Sequence, residues 1–385
     1  MGPLNPIFLQ RMTVMSKLFE PFVMGGRTLA NRIAMAPLTR SRARPGNVPS
    51  ELAPLYYGQR AGAGLIVTEG TAISPSAIGY LDVPGLWNAD QVAGWKPVTQ
   101  AVHDKGGTIF TQLWHVGRVS HVSTQPGRAA PVSPTPRIAA DSQAFGLRDD
   151  GTAALVDVST PRALTTDEVR GVVEDFVRAA RNAVEAGFDG IELHGANGYL
   201  IEQFLNPHVN DRTDAYRGDT LEGRTRFLLE TLDAVIAAIG AERTAVRLSP
   251  YGQLHDMPLY PELEETYLYL AEQFSQRGIA YLHIMDQSTR GSTATPADFL
   301  AKLRARFHGP LILAGGMTAQ RAETMIEQGL IDIAAFGEPF IANPDLVDRL
   351  RHGWPIETSD RALHYGGGAH GYTDYPTYSH QEVQA

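Results

Sequence analysis

Gly190-Ile191-Glu192-Leu193-His194-Gly195-Ala196-Asn197-Gly198-Tyr199 opens the stretch 190–206 on which the reading of this chain turns. A short apolar strand, Ile191 to Leu193, runs directly into a glycine-broken turn that carries His194, Asn197 and Tyr199. All three side chains donate hydrogen bonds, and three such groups in one turn do not fit a packed core. The plain structural alternative, His194 as a strand-end cap and Tyr199 as a packed aromatic with its hydroxyl in water, leaves Asn197 unexplained. A polar cluster directly after a buried strand is where a barrel of alternating strands and helices places its chemistry, because the C-terminal ends of its strands form the mouth.

Outward from this stretch, apolar strand-like runs recur at 32–36, 65–69, 108–113, 190–194, 244–248, 280–285, 310–314 and 332–336. Between them lie amphipathic segments with apolar residues three and four apart, clearest over 166–186, 224–239 and 263–277. Thr165-Thr166-Asp167-Glu168 reads as the start of the first, with a hydroxyl at the cap and acids in the first turn, and Gly187 reads as its stop. Eight such units argue for a closed parallel α/β barrel, the (β/α)8 TIM barrel. The competing doubly wound sheet lacks a Gly-x-Gly-x-x-Gly after the first strand. The excess length over 116–164, between the third strand and the next helix, is Pro-, Ser- and Gly-rich yet too apolar for a free linker, and is expected to fold as a lid over the mouth. The domain reading is an N-terminal arm or appended remnant over 1–17, one barrel over 18–376 and a tail over 377–385.

Composition excludes several functions. A net charge of −9 gives no electrostatic footprint for nucleic acid. With no cysteine there are no disulfides, thiolate nucleophiles or Cys-ligated metals, and no metal is expected. No apolar run nears the roughly 20 residues that span a bilayer, and no signal core opens the chain, so a cytoplasmic protein is expected.

The strand ends deliver polar or glycine residues while the strand bodies stay apolar. They are Pro37-Leu38-Thr39, Glu69-Gly70-Thr71, Gln112 with Trp114, the His194 cluster, Arg247, Asp286, Gly315-Gly316 and Gly337-Glu338. The glycines after the last two strands sit where barrels commonly bind phosphate through backbone N–H groups, although glycine pairs also make ordinary turns. For Arg247 the sequence offers one carboxylate at a matching strand end, Glu69.

Five ordered motifs carry a family resemblance: 31–40 (Asn31 to Arg40), 110–118 (Phe110 to Arg118), 194–200 (His194 to Leu200), 336–346 (Phe336 to Leu346) and 366–376 (Gly366 to Pro376). From about Leu18 to Tyr375 the chain resembles the Old Yellow Enzyme family of FMN-dependent ene-reductases, in the branch that carries threonine rather than cysteine at position 39. The resemblance implies bound FMN and a hydride donor, NADPH or NADH. It assigns Thr39 to flavin O4, Gln112 to the pyrimidine edge, Arg247 to the N1 side, and backbone groups of Pro37, Leu38 and Gly70 to the ring. Gly315, Gly316, Gly337 and position 338 would face the phosphate, where Glu338 replaces the family's usual arginine. His194 and Asn197 would hold the oxygen of the substrate, Tyr199 would donate the proton, and Tyr80, Tyr365 and Trp114 would wall the pocket. The implied reaction is reduction of C=C bonds activated by carbonyl or nitro groups, with reductive attack on nitrate esters or nitroaromatics as the alternative within the family. A non-catalytic flavin- or ligand-binding barrel is the alternative of another class. Partners are small molecules, with no nucleic acid or membrane, and the chain is expected to be a monomer or small homo-oligomer. Arg217-Gly218-Asp219 and Gly223-Arg224 depart from the family's Gly-Gly-Ser and Asn-Arg, which touches the detail of that loop.

Overall fold

A computed structural model describes residues 16–379. Eight parallel strands close into a barrel: β1 (Ile33–Met35), β2 (Leu65–Ala72), β3 (Ile109–Trp114), β4 (Gly190–Gly195), β5 (Thr244–Leu248), β6 (Leu282–Met285), β7 (Leu311–Ala314) and β8 (Ile333–Phe336), with β8 pairing β1 and β3 pairing β4. All eight fall on the runs read from sequence. Around them stand α1 (Ala53–Gln59), α2 (Ala89–His103), α3 (Thr166–Glu185), α4 (Leu221–Ile239), α5 (Leu263–Arg277), α6 (Ala297–Arg306), α7 (Ala319–Glu327) and α8 (Leu346–His352). The start of α3 is as its sequence requires: Thr165 accepts from the Glu168 N–H, and the Glu168 carboxylate accepts from the Thr165 N–H at 2.8 Å. Such a box satisfies two backbone donors that the helix itself leaves open.

Strand alternation divides the core in two. Ile191 and Leu193 of β4 face the helices with Phe176, Phe204 and Phe227, whereas Phe110, Tyr281, Ile312 and Ile333 fill the barrel. The lower end of that interior is closed by a hairpin that hydropathy patterning does not reveal, Phe22–Met24 paired with Arg27–Leu29, whose Met24 and Leu29 join the inner cluster. Its strands are three residues each, too short for a periodic signal. The expected arm over 1–17 lies outside the described residues except Ser16 and Lys17, and these already belong to a capped turn, Lys17–Phe19. Of the expected tail, 377–379 are described, and the Tyr378 N–H donates to Asp345 at 2.7 Å.

The segment 116–164 is folded. It contains a hairpin, Gln143–Leu147 with Ala153–Asp157, and a parallel pair, Val132–Ser133 with Arg162–Ala163. It lies on the side to which the strands point: Val119, Ala139, Ala144 and Val158 pack with Trp114 and Tyr199, and the Leu81 N–H donates to the Phe145 carbonyl. Arg118 anchors it. Its guanidinium is fully buried and donates to the carbonyls of Arg137, Ile138, His255 and Asp256, the last at 2.7 Å. Hydrogen bonds from a charged donor are worth about 1.5–3 kcal/mol each, and their loss strands four acceptors. Arg118→Met is therefore expected to destabilise the fold by at least about 3 kcal/mol in urea titration, and limited proteolysis should cut first within 119–164. Unchanged stability and cleavage pattern would mean that the apolar contacts alone hold the segment.

Candidate active site

At the mouth, β4 and the turn after it set the donors. His194 is 4 % exposed, and its Nδ1 accepts from the Ala196 N–H at 3.3 Å. A ring nitrogen that accepts carries no proton, so the neutral imidazole holds its hydrogen on Nε2, which has no protein partner among the described residues. Burial first, then the charge of Arg247, pushes this imidazole well below its ordinary range, so it remains neutral. Asn197 occupies a left-handed conformation, φ 59°. Its Oδ1 accepts from Gln287 Nε2 at 2.9 Å, which fixes the amide and leaves Nδ2 as a free donor. Two N–H donors are thus aimed by N–H groups that donate to their opposite ends.

Tyr199 lies against this pair. Its ring stands edge-on to His194 (5.1 Å) and Trp114 (5.0 Å), and its hydroxyl is 3.3 Å from that of Tyr80. Burial, with Tyr80 adding to it, holds the phenol well above its usual pKa, so it stays protonated. Tyr80 stacks on Trp114 at 5.5 Å. Gly70 is required by this wall, since a Cβ there would meet the Trp114 ring at 2.5 Å. Tyr365 does not pack into the wall: it is 62 % exposed and stands at the rim.

Below the mouth, Gln112, Glu192, Arg247 and His283 point into the barrel. Arg247 is 4 % exposed; among the described residues its Nε is unpartnered and its one hydrogen-bonding contact is from Nη2 to the Met285 sulfur at 3.3 Å. The carboxylate whose field reaches it is Glu192 on β4, not Glu69, which is turned to the backbone N–H groups of Arg40, at 3.0 Å, and Ser41. The expectation that Glu69 was the one available partner is corrected here. A glutamate inside an apolar strand reads as a break in the pattern and gives no sign of which strand it faces.

Pro37, Leu38 and Thr39 are half-buried at the end of β1, and the Thr39 hydroxyl has no protein partner among the described residues. Gly315 and Gly316 both have positive φ, and a Cβ on Gly315 would strike the Asp286 carbonyl oxygen at 2.0 Å, so backbone crowding alone demands glycine there. Arg321, which sequence reading missed, donates to the Gly315 carbonyl at 2.6 Å and pairs with Asp286 at 3.2 Å. Glu338 is exposed beside half-buried Gly337, without an ion pair among the described residues, and its field reaches His364. Arg290, exposed on the turn after β6, projects positive charge onto Tyr80, Tyr199 and His255. Gln287 and Arg290 lie in a polar loop with no periodic signal, so only the fold relates them to β4.

This donor set fits FMN: a buried cation without a hydrogen-bonded anion, a free threonine hydroxyl and a half-engaged glutamine amide, spread over neighbouring strand ends, suit the imide edge of a flavin. A cavity of about 480 Å3 lies outside the barrel between α6 and α7, lined by Leu300, Leu313, Met325 and Arg321 among others. It holds none of these donors. Among the described residues no group of three or more His, Asp or Glu is placed to hold a metal ion, and no helix is long and apolar enough to cross a membrane.

Barrel and donors together define a flavin oxidoreductase, and comparison with known proteins agrees. The model of the NADH:flavin oxidoreductase / NADH oxidase family matches residues 17–357. The chain is 42 % identical over 370 residues to 12-oxophytodienoate reductase 2 of Arabidopsis thaliana, covering 94 % of this chain and 95 % of that one. It is 42 % identical over 371 residues to chanoclavine-I aldehyde reductase of Penicillium roqueforti, covering 94 % and 96 %. Among solved structures, morphinone reductase superposes with a TM-score of 0.92 at 47 % identity over 96 % of this chain and 98 % of that one. An old yellow enzyme homologue from Zymomonas mobilis superposes with 0.88 at 39 % identity, covering 94 % and 100 %. The chain belongs to this family, that of the Old Yellow Enzyme, and is an NAD(P)H-dependent FMN oxidoreductase of the ene-reductase type.

A buried carboxylate grips the turn from behind. Glu202, 3 % exposed, accepts from the Gly198 N–H (2.6 Å), the Ser249 hydroxyl (2.8 Å) and the Tyr267 hydroxyl (3.2 Å), while Ser249 accepts from the Asn197 N–H (2.9 Å). Burial outweighs these donors and raises its pKa to about 7. A carboxyl raised in the folded state stabilises most below its unfolded pKa, and that contribution is lost as pH rises from about 4.5 through about 7. Glu202→Gln, which keeps the shape, should remove up to roughly 3 kcal/mol of this decline between pH 5 and 8, read from urea midpoints. An unaltered slope would mean that Glu202 does not titrate in this window.

Proposed function

We propose that Pro37, Leu38, Thr39, Gly70, Gln112 and Arg247 would hold the ring of FMN and the glycines after β7 and β8 its phosphate, and that His194, Asn197 and Tyr199 act on the substrate. The observation that carries this reading is the convergence of two oriented N–H donors and one protonated phenol on one aromatic-walled space. FMN supplies the transfer of hydride from a reduced nicotinamide to the β carbon of the alkene. His194 Nε2 and Asn197 Nδ2 take the carbonyl or nitro oxygen and strengthen their bonds as charge develops on it, as an oxyanion hole does. His194 remains a donor and not an acid, because its imidazole is already neutral. Tyr199 delivers the proton to the α carbon, and Trp114 and Tyr80 keep water from competing.

Substrates on this reading are small enones, enals and nitroalkenes, whose oxygen gains negative charge under the field of Arg247 and Arg290. Nitrate esters and nitroaromatics offer the same oxygens and are the second reading. A disulfide-free chain of this charge fits the cytoplasm, and monomer or small homo-oligomer is the proposed state.

Anaerobic stopped-flow separates the half-reactions. Tyr199→Phe should leave reduction by NADPH or NADH nearly intact and slow re-oxidation by cyclohexenone by about 100- to 10,000-fold, with a smaller loss for nitroalkenes, whose anion persists unprotonated. Equal losses in both halves would remove Tyr199 from the proton-donor role.

The phosphate end yields a second expectation. Arg321 is committed to Asp286 and to a carbonyl, so it does not replace an arginine at position 338. Glu338→Arg should tighten FMN by about tenfold, since a charge-assisted hydrogen bond contributes about 1.5–3 kcal/mol. Titration of apoprotein by flavin fluorescence measures this, and a change below about threefold would show that the existing charges already suffice.

A further inference from the structure

One layer below the donors just described, the barrel contains a carboxylate that the proposed steps leave without a task. Alternation along β4 turns Gly190, Glu192 and His194 inward, and pairing sets Glu192 level with Gln112 of β3 and His194 level with Arg247 of β5, itself level with His283 of β6. Glu192 is fully buried. Its Oε1 accepts from Gln112 Nε2 at 2.7 Å and its Oε2 accepts from His283 Nδ1 at 2.8 Å. Burial alone would raise this carboxyl, but His283, Arg247 and Gln112 together hold it below the ordinary range, so it is ionised. His283 is pushed down by burial and is neutral, donating through Nδ1.

Two consequences follow from a buried anion at this position. An ionised carboxylate only accepts, so the Gln112 amide is forced to present its nitrogen to Glu192. That leaves the Gln112 carbonyl and its second N–H free, an acceptor and a donor adjacent on one planar group, which is the complement of an imide N–H and its neighbouring carbonyl. The second consequence concerns charge. Arg247 forms no ion pair among the described residues, yet Glu192 is the buried carboxylate whose field reaches it. In a poorly screened interior, one anion offsets part of what a neighbouring cation can offer a ligand above.

We infer that Glu192 is a positioning residue for the flavin, fixing the Gln112 amide and limiting how much of the Arg247 charge is available to stabilise the reduced cofactor. This rests on the proposal that Gln112 of β3 and Arg247 of β5 would hold the flavin ring. A merely structural Glu192 would serve to solvate Arg247 and His283, and its replacement would lower stability without altering the flavin's redox balance.

The test compares wild type and Glu192→Gln, each reconstituted with FMN, by dye-coupled anaerobic reduction. The Gln variant should raise the ratio of oxidised to reduced FMN dissociation constants about tenfold, a rise of about 30 mV in a two-electron midpoint. A rise of at least threefold supports the inference; a smaller rise, or a fall, overturns it whatever happens to thermal stability. Glu192→Asp carries the test if the Gln variant does not fold. It keeps the charge but withdraws from Gln112, so the ratio should stay within about threefold of wild type while oxidised FMN binds about tenfold more weakly; unchanged affinity overturns the positioning role. Failure of the wild type to bind FMN would instead remove the flavin reading, so the two failures are distinguishable.

Discussion

The burial of one positive charge organises this molecule. Arg247 sits inside a closed barrel, 4 % exposed, with no carboxylate of the described residues in hydrogen-bonding contact. An unpaired buried cation is expensive, and the strands around it are arranged to make it tolerable. Glu192 supplies the opposite charge from the adjacent strand, Gln112 and His283 complete the carboxylate's hydrogen bonds, and Phe110, Tyr281, Ile312 and Ile333 fill the interior below. The short hairpin under the barrel adds Met24 and Leu29 to that apolar floor. The unpartnered Nε of Arg247 is the part of the arrangement left unsatisfied, which is what a site built for an electron-rich ligand requires.

The same logic recurs above it. Each donor at the mouth is aimed by giving its opposite end a partner: the Ala196 N–H occupies His194 Nδ1, Gln287 occupies Asn197 Oδ1, and Glu202 and Ser249 hold the backbone of the turn between them. Donors preset in this way need little reorganisation when charge develops, which is the source of most electrostatic stabilisation in enzymes. A left-handed Asn197 carries some backbone strain, and the grip of Glu202 and Ser249 over-determines it.

Around the rim, long segments with little repetitive structure are secured by arginines that donate to backbone carbonyls. Arg118 holds 116–164 in this way. Arg40 and Arg42 do the same for the C-terminal segment, donating to carbonyls of Leu363, His364, Gly368, His370 and Gly371, with both guanidinium groups against the Tyr372 ring. A buried loop carries carbonyls that a helix or sheet would otherwise satisfy, and a five-donor guanidinium meets several at once. The loops are thereby ordered without an extensive apolar core of their own.

Sequence alone determined the barrel, its eight strands, the cap of α3 and the cluster of His194, Asn197 and Tyr199, because each rests on local periodicity or on residues within one turn. Short strands such as Phe22–Met24 escaped it, since three residues hold no period. Only the tertiary structure decided the partners. Glu192 is two positions from His194 but 80 from Gln112 and 91 from His283, yet it is the latter two that it contacts, and Gln287 is brought to Asn197 across 90 residues. Which end of Asn197 points outward and which carboxylate answers Arg247 are set by loop docking and strand pairing, whereas the free nitrogen of His194 is set within its own turn by the Ala196 N–H. Those relations depend on side-chain direction around a closed sheet, and a linear pattern of residue types carries the alternation of the strands but not their register.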